Sequence, residues 1–343
     1  MSLLTSAESD ACVRFRSGGK EGHVESLFIK LNLSEARALW LKLTFLKERG
    51  QRGQEFVEAW AIAFNLGGTE RTSRMALKET WPAAEASYDT QRFRVEVGSV
   101  QWLHGRVRGQ LGQVDGSEHI SWDLEFDTSA TGFRHIPYNW MYQGSIPKSK
   151  ATSPQVNTRF SGQVSVNGHS TSIDRAPGML GHNWGSQHAE SWVWAHCNMW
   201  EDADDVVFEG VTSKVKFGPL SVPLLTVLHL QIDGESFDLN GIWRAFRIKS
   251  LPFRLSWRFE AATSDLAIEG RFSGAVDRFV GITYTDPTAA PIHCLNSKIA
   301  DGLIRIRRKT STGWLDWKAI HSVQTAALEI GDRTTNHGVK MVL

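Results

Sequence analysis

The sequence predicts an all-β chain, and three observations carry that reading: hydrophobic periodicity close to two, recurrent turn dipeptides, and a single short helical candidate. From His119 to Asp127, Ile120, Trp122, Leu124 and Phe126 alternate with polar residues. Phe253, Leu255, Trp257 and Phe259 do the same between Phe253 and Glu260. From Phe56 to Phe64 the even positions are Phe, Glu, Trp, Ile and Phe, and the odd ones are Val and Ala. Such alternation marks antiparallel strands with one buried face, so Trp60, Trp122 and Trp257 are expected as ordinary core. Gly67-Gly68, Asp115-Gly116, Asn167-Gly168, Asp233-Gly234 and Asn240-Gly241 supply the turn signals between strands. The helical candidate is Ser34 to Trp40, with Ser34 as its cap. Antiparallel barrels or sandwiches follow.

Residues 144–157 (GSIPKSKATSPQVN) are polar with two prolines and read as a loop. An internal echo places the domain junction later. Val24-Glu25-Ser26-Leu27-Phe28 leads to Asn32 and an apolar strand from Leu39; Ala189-Glu190-Ser191-Trp192-Val193 leads to Asn198 and an apolar strand from Val206. Each half then opens with the same strand, turn and strand, giving domains of 1–186 and 187–343. A chain of 343 residues is long enough for two such cores.

The net charge of +1 excludes a general nucleic-acid binder, which must neutralise many phosphates. Cys12, Cys197 and Cys294 form neither an even disulfide framework nor a C-x-x-C pair. The N-terminal residues MSLLTSAESDACVRF lack a charged leader followed by an apolar core, and the most apolar stretch, Val222 to Leu230, is too short for a membrane span. A soluble, cytoplasmic globular protein is the expectation. Its unusual feature is fourteen Trp residues.

No nucleotide-binding or protease motif is present, and Gly18-Gly19-Lys20 reads as a loop. The informative stretch is Gly178 to Trp200 (GMLGHNWGSQHAESWVWAHCNMW). Read as one strand from His188, its even positions are His188, Glu190, Trp192, Trp194, His196, Asn198 and Trp200, and its odd positions are small and packable. A face of rings and ionisable groups suits the wall of a cavity, and equally a ring-rich seam between two barrels. On one straight strand His188 and His196 lie about 26 Å apart and cannot share a metal; no metal site is expected. Glu201, Asp202, Asp204 and Asp205 read as a solvated turn, and Arg305, Arg307 and Arg308 as an exposed strand face. His293-Cys294 lies in a loop-like run, with Cys294 a buried structural thiol.

Gly181-His182-Asn183-Trp184-Gly185, followed by Trp192 and Trp194, resembles the two-domain lipocalin-like (calycin) group. That group includes carotenoid 1,2-hydratase, tocopherol cyclase, AttH-like proteins and fungal lipocalin-like pericyclases. Val24 to Phe28 and Ala38-Leu39-Trp40 look like its first strands. The resemblance implies two lipocalin-like antiparallel β-barrels packed side by side. It also implies a small lipophilic substrate, isoprenoid or polyketide, and hydration, cyclisation or rearrangement without cofactor or metal. Carotenoid hydratases carry Asp directly before this His where the present chain has Gly181, so Glu190 or His182 would have to serve as the acid.

A carboxyl walled by indoles is desolvated and kept protonated, which suits a general acid. Glu190 is therefore the expected acid and His182 or His188 the base. Asn183, Trp184, Trp192, Trp194, His196 and Asn198 are the expected substrate contacts. Gly181 and Gly185 are expected to allow a chain reversal that turns His182 inward. Two other readings fit the same residues: a carrier that binds a hydrophobic metabolite without chemistry, and a ligand-free scaffold packed through its indoles.

Overall fold

The computed structural model describes residues 6–50, 53–66, 74–113, 118–128, 132–214, 216–217, 220–221, 224–334 and 337–343. The Gly67-Gly68 and Asp115-Gly116 turn signals, and residues 222–223 of the apolar stretch, lie outside them. Described strands dominate the chain and form two large curled antiparallel sheets and a small two-stranded one, Lys216–Phe217 with Leu220–Ser221, with all-β architecture as expected.

Both sheets start alike. The first strand of one, His23–Ser34, lies between Arg37–Lys47 and the long strand His169–Gly185. The first strand of the other, Ser191–Cys197, lies between Val207–Lys214 and the long strand Gly313–Asp332. Each long strand pairs with another long one, Ser149–Val166 or Pro291–Thr310, through repeated register shifts. Such bulges raise local twist and let a sheet curl.

Alternation explains the interiors. Leu27, Ile29 and Leu31 meet Leu39, Leu41 and Leu43 inside the first sheet, with Trp102 and Trp122, and Val13 and Phe15 pack in from the N-terminal segment. Val193, Ala195, Cys197, Phe208, Trp257 and Phe272 fill the second.

Three local expectations change. Ser34 to Trp40 is a strand end, a turn at Glu35-Ala36 and the start of Arg37–Lys47, because Leu39, Leu41 and Leu43 reach the core only at period two. Most of 144–157 belongs to the strand Ser149–Val166; Pro154 is tolerated in the bulge between Thr152 and Gln155, where no ladder hydrogen bond is needed. His293-Cys294 is in the strand Pro291–Thr310, with Cys294 fully buried. Asn240-Gly241 leads into the short helix Ile242–Ala245, whereas Asn167-Gly168 and Asp233-Gly234 form turns.

The outer faces of the first strands are also buried, since the two sheets pack against each other. Trp40, Trp60, Ile62 and Phe64 meet Ile282, Tyr284, Cys294 and Ile299 across a seam, so Trp60 is core of the seam and not of a barrel. Polar residues on these faces cross it. Lys30 Nζ donates to Asn198 Oδ1 at 3.1 Å, and Asn198 Nδ2 donates to Gly178 O and Asn157 Oδ1, both at 2.9 Å. Asn32 Nδ2 donates to Lys298 O at 2.8 Å in the opposite direction. The two Asn residues aligned by the echo thus each reach into the other sheet.

Asn198→Ala leaves the buried Lys30 ammonium without its one acceptor among the described residues. A loss of about 3 kcal/mol in unfolding free energy is expected, because an unpaired buried cation carries its full desolvation penalty. Urea unfolding of the variant against the parent chain measures it.

Candidate functional site

A cavity of about 470 Å³ opens along the seam, within the range typical of small-molecule sites. Phe28, Trp40 and Lys42 come from the first sheet; Trp192, Trp194, Val211 and Tyr284 come from the second. Alternation along Ser191–Cys197 sends Val193 and Ala195 into the barrel core and Trp192 and Trp194 to the cavity wall. Phe28 packs edge-on against Trp194, with ring centroids 5.5 Å apart.

His188 lies just before the strand, in an irregular stretch between bends at 186–187 and 190. Its backbone N–H donates to Asp286 Oδ2 at 3.0 Å, and its Nδ1 lies 3.3 Å from the same oxygen. Burial lowers the ring's pKa, opposed by Asp286. A neutral imidazole donating through Nδ1 keeps Nε2 as an acceptor. The ring is parallel to Tyr284, with centroids 6.1 Å apart.

Lys42 Nζ sits over the ring of that tyrosine, 3.5 Å from the Tyr284 ring centroid. Among the described residues it has no hydrogen-bond acceptor. Burial lowers its pKa to about 8, partly opposed by Glu329 and Glu58. An ammonium on a ring face is held by cation–π attraction, which leaves its N–H groups available.

Glu209 is fully buried on Val207–Lys214. Its Oε1 accepts from Ser153 Oγ at 2.8 Å and Trp194 Nε1 at 2.9 Å, and His135 Nε2 lies 3.3 Å away. Oε2 has no partner among the described residues. Burial raises this carboxyl, but the charge and hydrogen bond of His135 bring it down to about 2, so Glu209 is a carboxylate.

His182 lines the cavity but is committed elsewhere. Its Nε2 lies 2.8 Å from Glu25 Oε1, and its Nδ1 faces the Asp10 carbonyl oxygen. Two acceptors on the two ring nitrogens are the pattern of an imidazolium paired with a carboxylate. Burial raises the Glu25 carboxyl, and hydrogen bonds from His182 and His23 more than offset it, to about 2.

The structure brings His182, Asn183, His188, Trp192 and Trp194 to this cavity. Glu190, Trp184, His196 and Asn198 are not part of its lining. Glu190 lies toward Lys214, with 3.8 Å between Oε2 and Nζ. Trp184 packs on His182 and Tyr142. His196 donates from Nε2 to Val156 O at 2.8 Å, and burial lowers its pKa to about 3. Asn198 crosses the seam, and Trp200 belongs to the second barrel core. The expected continuous strand from His188 to Trp200 is only Ser191–Cys197. No chain reversal occurs at Gly181: the strand His169–Gly185 runs through it, and its missing Cβ makes room for the Phe28 ring.

Sequence reasoning missed Lys42, His135, Glu209, Tyr284 and Asp286. Lys42 and Glu209 carried a signal, each being the lone charge within an apolar run (LWLKLTF and VVFEGV).

The Glu25–His182 pair also governs acid stability. A carboxyl whose folded pKa lies below its ordinary 4.5 contributes stability that is complete above that value and is lost as pH falls through about 2. Glu25→Gln, which leaves His182 without its counter-charge, is expected to cost about 3 kcal/mol at pH 7. Its stability is also expected to fall less on acidification than that of the parent. Urea unfolding at neutral pH and at steps below pH 5 reads both effects.

The solved structures it resembles share this two-barrel, lipocalin-like architecture. An AttH-like protein of Nitrosomonas europaea matches with a TM-score of 0.54 at 12% identity, covering 91% of this chain and 93% of that one. Kievitone hydratase of Nectria haematococca matches with a TM-score of 0.51 at 10% identity, covering 97% and 93%. CghA matches with a TM-score of 0.54 at 9% identity, covering 98% and 95%. By sequence, the uncharacterized protein Rv0493c of Mycobacterium tuberculosis is 24% identical over 256 residues, 73% of this chain and 71% of that protein. The tocopherol cyclase-like family model matches residues 54–332, most of the chain's length, and the chain therefore belongs to the tocopherol cyclase-like family.

Proposed function

We propose that this protein is a cyclase-, isomerase- or hydratase-type enzyme that acts on a small lipophilic substrate, isoprenoid or polyketide-like, in the seam cavity. In this reading residues 1–186 and 187–343 are two units that each supply part of one site. The observation that carries it is the meeting of a weakly held cation and an oriented neutral base, Lys42 and His188, both against the ring of Tyr284, in an indole-lined cavity.

The chemistry follows from those two groups. The Lys42 ammonium polarises a substrate carbonyl oxygen and can give it a proton. His188 Nε2 removes a proton from the neighbouring carbon, and Asp286 stabilises the imidazolium that forms. Isomerisation, ring closure onto an alkene, and addition or loss of water all use this paired transfer. The Trp192 and Trp194 faces stabilise positive charge developing on carbon. Glu209 Oε2 accepts from a substrate hydroxyl. Glu190, first expected as the acid, leaves that role to Lys42, and His182 with Glu25 forms the ionic floor beside it. Membership of a tocopherol cyclase-like family supports the cyclase-type reading.

The test is incubation of the protein with a lipid extract of its source, followed by search for a compound consumed and an isomer or hydrate formed. Rate with that substrate is expected to be flat near neutrality. It falls below pH 6.5 only once His188 protonates, and it falls above about pH 8 as Lys42 loses its proton. Lys42→Arg keeps its charge and is expected to move the alkaline limb up by at least about two units. His188→Gln is expected to lower kcat by about 100-fold or more. Binding without turnover would assign the cavity to a carrier, and an unmoved alkaline limb in Lys42→Arg would remove Lys42 from the mechanism.

A further inference from the structure

The mouth of the cavity carries a second feature that the chemistry inside does not use. Two short helices, Asn139–Gln143 and Ile242–Ala245, flank it together with the loop before Ser149; Met141, Ile146 and Ile242 line the cavity from these segments. Asn240 Nδ2 donates to Arg134 O at 2.8 Å and ties the two together.

These segments expose what a folded chain normally hides. Tyr138, Trp140, Ile146, Trp243 and Phe246 account for five of the twelve exposed large hydrophobic residues among those described, and Trp243 is 79% exposed. Along the chain segments that carry them the charges have one sign. No Asp or Glu occurs from residue 128 to 173, or from residue 239 to 259, where Arg244, Arg247, Lys249, Arg254 and Arg258 all fall. Lys148, Arg244 and Arg247 are exposed and have no ion pair among the described residues.

We infer that this rim docks on an anionic lipid bilayer, with Trp140 and Trp243 in the headgroup layer and Lys148, Arg244 and Arg247 against lipid phosphates. Indoles prefer that layer because one edge is apolar and the N–H stays wet. Apolar rings interleaved with unpaired cations are the interfacial combination, in which neither part suffices alone. A second copy of the chain would set like charges against each other. Docked in this way, the cavity opens toward the phase in which a lipophilic molecule dissolves. The inference stands whether the cavity is catalytic or a carrier's.

Co-sedimentation with vesicles of phosphatidylcholine, pure or with about one-third phosphatidylglycerol, tests it at about 0.1 M salt. The full chain is expected to partition at least about tenfold more strongly onto the anionic vesicles and to be released by added salt. Arg244→Glu with Arg247→Glu is expected to bring binding to the level of neutral vesicles. Trp140→Ala with Trp243→Ala is expected to lower it about tenfold with thermal unfolding unchanged. Equal binding to both vesicles, no binding, or variants that bind like the parent would overturn the inference. So would a dimer, seen by sedimentation velocity, that the tryptophan variant dissociates.

Discussion

A lysine buried between two sheets must find an acceptor, rest on a ring face or lose its proton, and that constraint organises this molecule. Three lysines lie on the outer faces of strands that both sheets cover. Lys298 meets Glu329 and Asn296, each at 2.7 Å. Among the described residues Lys30 meets a neutral amide alone, that of Asn198. Lys42 meets ring faces, and burial draws its pKa to about 8. Along one seam the cations pass from fully paired to loosely held. The cavity lies where the pairing runs out.

The same logic separates the histidines. His182 has oxygen partners on both nitrogens and is committed on both sides; His196 has a carbonyl on one side and burial on all sides and is a fixed neutral ring. His188 has one carboxylate behind it and the cavity in front. Of the three, only His188 has the asymmetry that proton transfer needs. Both half-barrels build this arrangement, since Lys42 comes from one and Tyr284 from the other.

Much of this was legible in the sequence, and the limits have physical causes. Period-two patterning carried the all-β fold, and the Gly181–Trp194 element carried the family and led to the cavity wall. Alternation puts Trp192 and Trp194 on the side that lines the cavity, because a strand fixes the side of every residue. It misplaced Glu190, His196 and Asn198 because the strand stops at Cys197 and because a shared face can be partly cavity and partly dry seam. Pairings between distant strands were invisible. Nothing local to Glu25 tells that it faces His182, or local to Asp286 that it holds His188, since those contacts exist only once the sheets close. The lone charges of LWLKLTF and VVFEGV were the readable hint of the missed groups.

We propose that the seam cavity holds a lipophilic molecule between the two half-barrels. Native mass spectrometry of the protein, purified without detergent, tests it most directly when the chain is compared with Val211→Trp, which fills the cavity from its wall. The account predicts a retained small apolar compound on the parent chain and none on the variant, with both folded. Equal retention by the two proteins would contradict it.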